Sequence, residues 1–328
     1  MFPRAVGARR NGRSTALLHG FLCAAIAVIA VSLAGCGSSE TASSGAGKAD
    51  GVLVVTTTIG MITDVTREIA GEHAEVRGLM GPGVDPHLYK ATQGDLAKLS
   101  DADLILYNGL HLEGKMADVL VQMAQRVRTV QVTDEIPQNL LREPPEFAGQ
   151  YDPHVWFDVK LWSMAAERIA KALAEADPQH AEEYRSNAET YLAELEQLDA
   201  YAREQIATIP KEQRVLVTAH DAFGYFGRAY DIEVMGLQGI STAAEYGLQD
   251  LTRMVDVIVE RNIKAVFVES SVSPKSIEAL VRGVEDKGGT VKVGGELFSD
   301  AMGEAGTPEG TYIGMVRHNV DTIVEALK

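Results

Sequence analysis

The chain has 328 residues and only two cysteines, Cys23 and Cys36, both near its start. The absence of cysteine beyond Cys36 excludes disulfides and thiolate ligands from the body of the protein. Any metal held there needs His, Asp, Glu or backbone oxygen. Basic charge is also short: 30 Lys and Arg stand against 46 Asp and Glu, a formal charge of −16. Four of the bases, Arg4, Arg9, Arg10 and Arg13, precede the first acidic residue, so the remainder is more acidic still. Such a surface repels phosphate backbones, which argues against nucleic acid and mildly favours cations. The apolar run Phe21–Leu33 is shorter than the roughly 20 residues a membrane-spanning helix needs. No short-period repeat is visible, and no His-Glu-x-x-His motif occurs. With 46% hydrophobic and 23% charged residues the composition is that of a globular protein, and the length suggests about two domains.

The N-terminus carries an address. Residues 1–35 join an arginine-bearing segment to the apolar run, the pattern of an export signal. The run ends in Leu33-Ala34-Gly35-Cys36, which resembles the lipobox of bacterial lipoproteins. That resemblance implies a lipidated Cys36 as the mature N-terminus and an outward-facing membrane anchor. A plain signal peptide or an uncleaved helix is the alternative. Residues 36–50, rich in Gly, Ser and Ala, read as a flexible tether.

From residue 51 onward, short β-rich runs alternate with helical spacing. Val52–Val55, Val76–Met80, Leu104–Tyr107 and Arg128–Val132 read as strands of a first block, 51–176. Val215–Val217, Ile232–Met235, Ile263–Val268 and Thr290–Val293 read as strands of a second, 211–328. This interleaving predicts an α/β fold with mostly parallel sheets flanked by helices. Between the blocks, Asp177-Pro178 opens a stretch without Gly or further Pro up to Pro210. Tyr184, Tyr191, Leu192, Leu195 and Leu198 recur there at three- and four-residue steps. Residues 177–210 therefore read as one long spine helix joining two lobes.

Ligands of open α/β sheets bind beyond the carboxyl ends of strands, so residues in those loops stand out. His87 lies in Gly83-Val84-Asp85-Pro86-His87-Leu88-Tyr89, where Pro86 stiffens the loop. His154 lies in Asp152-Pro153-His154-Val155-Trp156-Phe157-Asp158 and repeats the Asp-Pro-His tripeptide. His220 ends the first strand of the second block, before Asp221-Ala222-Phe223-Gly224-Tyr225-Phe226, and Asp300 follows Leu297-Phe298-Ser299. Taken singly, each also reads as a turn or cap residue. Two of only eight histidines sharing one tripeptide argues against chance, and rigid turns suit metal sites, whose ligands must sit within a few tenths of an ångström.

These segments, with Tyr107-Asn108-Gly109-Leu110-His111-Leu112-Glu113, Gly239-Ile240-Ser241-Thr242 and Phe298-Ser299-Asp300-Ala301-Met302-Gly303, resemble the TroA-like zinc/manganese solute-binding lipoproteins of bacterial ABC importers, cluster 9 or cluster A-I. The resemblance implies two α/β lobes joined by a single helix, with metal in the cleft. It places the four metal ligands at His87, His154, His220 and Asp300. Partners would be the divalent ion, an ABC permease with its cytoplasmic ATPase, and the membrane through the lipid anchor. The chain would act as a monomer, without nucleic acid and without enzymatic activity. A Glu at the third ligand position accompanies manganese-leaning members; here it is His220. Zinc-specialised relatives often carry a His-rich loop between the first two ligands; here only His111 lies there.

An N₃O donor set fits Zn²⁺ or Mn²⁺ as transported ligand, with zinc favoured by intrinsic affinity. Asp85, Asp152, Asp158, Asp221 and Glu269 are candidates for orienting the imidazoles. Unperturbed imidazoles would weaken binding below about pH 6, and one connecting helix predicts a small lobe tilt. Two other readings use the same residues: a zinc hydrolase with an open water position, and a surface adhesin of the same family.

Overall fold

The computed structural model describes residues 51–147 and 149–328. The export signal, the tether and Cys36 lie outside the described residues. Four parallel strands, β1 (Leu53–Thr57), β2 (Ala74–Gly78), β3 (Leu104–Tyr107) and β4 (Arg128–Gln131), form the first sheet in the order β2-β1-β3-β4. The central β1 and β3 are almost wholly buried apolar or β-branched residues, as a sheet covered on both faces requires. Helices α1 (Gly60–Ala70), α2 (Gln93–Asp101), α3 (Ala117–Met123) and α4 (Val159–Ala176) belong to this lobe. Asp158 caps α4, its carboxylate accepting from the backbone N–H of Lys160 at 3.1 Å.

The long helix α5 (Ala181–Ala207) follows a single 3₁₀ turn at Pro178–His180. It buries Tyr184, Ala188, Tyr191, Leu195, Leu198, Ala202 and Ile206 along one stripe. At about 1.5 Å per residue it is roughly 40 Å long. Near its start Asn187 donates to the Ile69 carbonyl of the first lobe at 3.0 Å. Near its end Arg203 donates to the Ala229 carbonyl of the second lobe at 2.6 Å, and Tyr201 bonds Asp321. Each end of the spine is thus tied to a different lobe.

The second lobe pairs β5 (Val215–His220) with β6 (Glu233–Gln238), and β7 (Ala265–Glu269) with β8 (Lys292–Leu297), all parallel. β5 and β7 lie against each other, so the spatial order β6-β5-β7-β8 repeats that of the first lobe. Helices α6 (Gly224–Tyr230), α7 (Leu248–Arg261), α8 (Lys275–Asp286) and α9 (Tyr312–Leu327) complete it. The two-lobe, mostly parallel α/β architecture with its long helix is the one expected. The last strand differs from expectation: it runs to Leu297, past the apolar residues that end at Val293. Gly294 continues it because a Cβ there would sit 2.7 Å from both Phe267 and Ala326, a close approach that only glycine permits.

Strand residues of the second lobe alternate between two cores. Val217, Val266, Val255, Ile258, Ile277 and Leu280 fill a small one under α7 and α8. Leu216, Phe223, Phe267, Tyr312 and Val320 join the main core, which continues through α5 into the first lobe. There Phe157 stacks on Phe223 with centroids 4.3 Å apart, and Trp162 packs on Tyr312 at 5.6 Å. Among the described residues no helix is long and apolar enough to cross a membrane.

Candidate metal centre

The repeated tripeptide has one local cause. In each copy the aspartate carboxylate accepts the backbone N–H of the histidine two residues on: Asp85 from His87 at 2.9 Å, Asp152 from His154 at 3.0 Å. The intervening proline has no N–H to compete and fixes its own φ. The two copies then diverge. The Asp152 oxygen also meets His154 Nδ1 at 2.8 Å, whereas the second Asp85 oxygen accepts from Thr242 of the other lobe at 2.6 Å.

His87 lies in the loop beyond β2. His154 is farther from any strand than expected, in the turn that leads through Val155–Phe157 into α4. His220 is the last residue of β5. Its backbone N–H donates to Glu269 at 2.8 Å, and its Nδ1 bonds the other Glu269 oxygen. Glu269 is the last residue of β7, so two neighbouring strand ends lock this imidazole. Asp300 lies three residues past β8, steadied by the Trp156 indole N–H on the Ser299 carbonyl at 3.0 Å. Tyr312 donates to the Trp156 carbonyl at 2.7 Å.

These four side chains converge. His87 Nε2 lies 3.3 Å from His154 Nε2 and 3.5 Å from Asp300 Oδ2. His154 Nε2 is 3.3 Å from Asp300 Oδ1, and His220 Nε2 is 3.3 Å from Oδ2. Donors about 2.0–2.1 Å from a tetrahedral zinc ion would be about 3.3 Å from one another. Exposure is 4% for His87 and at most 1% for the others. His220 Nε2 and both Asp300 oxygens are buried without a hydrogen-bond partner. Buried polar atoms are ordinarily satisfied, and a cation among them would supply what is missing. Among the described residues no other group of three or more His, Cys, Asp or Glu side chains converges in this way.

Electrostatics divide the set. Burial pushes His87 down to about 3, so it presents a neutral ring. Burial opposes charge on His154 too, but the hydrogen bond with Asp152 and the nearby negative charge of Asp300 carry it up to about 9. Against the same burial, Glu269 and Asp300 hold His220 well above the usual imidazole range. Asp300 stays well below the usual carboxylate range because the imidazoles outweigh its desolvation. The carboxylates thus favour positive charge on His154 and His220, the sign of charge that a dication would bring.

Of the five supporting carboxylates, Asp152 and Glu269 reach an imidazole Nδ1, leaving Nε2 free to ligate. Asp85 reaches the backbone of His87 and the Thr242 hydroxyl rather than the ring, and Asp158 serves as a helix cap. Asp221 joins β6 through its backbone N–H on the Gln238 carbonyl at 3.0 Å. The Asn108–Glu113 segment is a brace. Glu113 accepts from Thr58 and from the Asn108 backbone N–H, each at 2.7 Å, while the Asn108 amide donates to the Pro153 carbonyl at 3.1 Å. His111 is exposed and stands outside the cluster. Trp156 and Thr242 lie within motifs that the sequence offers without a role for either, and nothing in the sequence marks Tyr312 as a support.

Known proteins resemble this chain over most of its length. The chain is 52% identical over 307 residues to the manganese-binding lipoprotein MntA of Bacillus subtilis (strain 168), covering 94% of this chain and 99% of that one. It is 52% identical over 281 residues to the zinc-binding protein TroA of Treponema pallidum (strain Nichols), covering 85% and 90%. The solved structure of the periplasmic zinc binding protein TroA from Treponema pallidum superposes with a TM-score of 0.83 at 51% identity, over 84% of this chain and 99% of that one. The profile of the zinc-uptake complex component A, periplasmic, matches residues 55–326. With that match and those relatives, the chain belongs to the ZnuA family.

Proposed function

We propose that the protein is an extracytoplasmic receptor that binds one divalent transition metal ion and delivers it to an ABC-type importer. His87, His154, His220 and Asp300 are its ligands. The lobes, 51–176 and 211–328, each contribute two of them, and the spine, 177–210, holds the lobes in register. Lipidation at Cys36 anchors the monomer to the membrane, where it meets a permease and its ATPase. The observation that carries this reading is the trio of Nε2 atoms facing a buried carboxylate that has no other partner.

The donor set favours zinc over manganese in intrinsic affinity. Both Asp300 oxygens face the imidazoles, which offers manganese the extra oxygen it prefers. Metal supply in the host then decides the cargo. A hydrolase would need a free carboxylate base beside the ion. Glu269 is engaged by the His220 ring and backbone, and four protein donors close a tetrahedral site.

Calorimetry on the full chain after chelation tests the reading. One zinc or manganese ion per chain should bind at or below micromolar concentration; no binding in that range overturns it.

A further inference from the structure

We propose that Arg142 is a positioning residue for the metal: its guanidinium, seated on Gly224 of the second lobe, fixes Asp152 against the His154 imidazole. This inference rests on the receptor reading above and adds a residue to it that touches no ligand.

Arg142 lies in the loop between β4 and α4. The Asp152 carboxylate is shared: one oxygen meets His154 Nδ1 at 2.8 Å, the other the Arg142 guanidinium. The backbone closes the same ring, with Asp152 N–H on the Arg142 carbonyl at 2.9 Å. The far side of Arg142 belongs to the other lobe. The Tyr225 hydroxyl accepts the Arg142 N–H at 3.0 Å and donates to the Asp152 carbonyl at 3.0 Å. The Tyr225 ring lies 5.7 Å from the Arg142 guanidinium, within cation–π reach.

Gly224 explains why this seat exists. It is absent from the residues with positive φ, so its backbone does not call for glycine. A Cβ at this position would fall on the Arg142 guanidinium. Gly224 opens α6, four residues after His220. The missing side chain thus lets a first-lobe cation pass over the helix that follows a second-lobe ligand. The other carboxylate–imidazole pair has no such strap: among the described ion pairs Glu269 meets only His220. Its strands already hold it, whereas Asp152 sits in a loop.

A double-mutant cycle of Arg142→Ala and Gly224→Ala on the full metal-free chain tests the inference. The readouts are zinc and manganese affinities, the visible spectrum of the Co²⁺ form, and metal-free melting. The unaltered chain is titrated first: if it binds no metal, the receptor reading fails and not this inference. Arg142→Ala should weaken zinc about 10-fold, the low end for loss of a supporting partner. It should lower the zinc-to-manganese ratio, since a loosened imidazole harms fixed tetrahedral geometry most, and shift the Co²⁺ bands. Gly224→Ala should reproduce this with Arg142 present and add nothing without it. Gly224→Ala is an independent probe if Arg142→Ala folds poorly. Unchanged affinity in Arg142→Ala overturns the proposal, as does a Gly224→Ala cost equal in both backgrounds.

Discussion

The two lobes hold their proposed metal ligands by different means. In the first, each histidine is fastened by an aspartate two positions earlier. In the second, His220 is gripped by Glu269 from a neighbouring strand, 49 residues away, and Asp300 leans on a tryptophan of the other lobe. The first device is a loop that shapes itself; the second exists only once a sheet has formed. The first lobe therefore offers ligands with local rigidity, and the second supplies the anchoring that long-range packing gives.

The sharpest way to break this contrast is to remove the residue common to both sides. Asp300→Ala takes away the carboxylate that all three imidazoles face, and zinc affinity should fall by more than about 100-fold, beyond the loss from any supporting partner. A milder loss by calorimetry would show that the imidazoles suffice.

Acidity tests the contrast between His87 and its neighbours. His154 is raised to about 9 and His220 is raised well above the ordinary imidazole range, so under the proposed assignment zinc would displace both protons near neutrality. Affinity should rise with pH through neutrality, by up to about 100-fold per unit for two protons. Proton competition thus begins well above the value of about 6 expected of unperturbed imidazoles. The linked stability has a definite sign. A raised folded-state pKa contributes stability that is complete below the unfolded value of 6.5 and lost as pH passes about 9. Metal-free melting should therefore fall between pH 7 and 9; proton counts from calorimetry in two buffers and a melting series check both statements.

Next in size are the supporting acids. Asp152→Ala and Glu269→Ala should each cost about 10–100-fold in zinc affinity. Only the second should also lower metal-free stability strongly, since it unties two strand ends; equal melting temperatures for the two variants would erase the distinction between loop-built and sheet-built support. Smallest is Thr242→Val, which deletes the bond to Asp85 and should cost about 0.5–1.5 kcal/mol, read as a drop of a few degrees in melting temperature.

The same contrast governs what the sequence disclosed. His87 and His154 were legible because their support lies within the tripeptide that contains them. The spine was legible because its apolar stripe repeats at helical steps without a helix breaker. Glu269 was a candidate, yet its pairing with His220 depends on β5 and β7 lying side by side, which no local pattern encodes. β8 was read short because Gly294-Gly295 look like a terminus and gain their place only against Phe267 and α9. Arg142 gave no signal at all, since its role is defined by an empty position in a helix of the opposite lobe.

The main core ignores the division that the chain order suggests. Phe157 on Phe223 and Trp162 on Tyr312 are contacts that neither half makes by itself. Either half produced alone would leave these rings facing water, so the protein should melt in one cooperative step. Hybrids that exchange halves between relatives must carry matched pairs of these side chains across the joint, whatever metal each parent prefers.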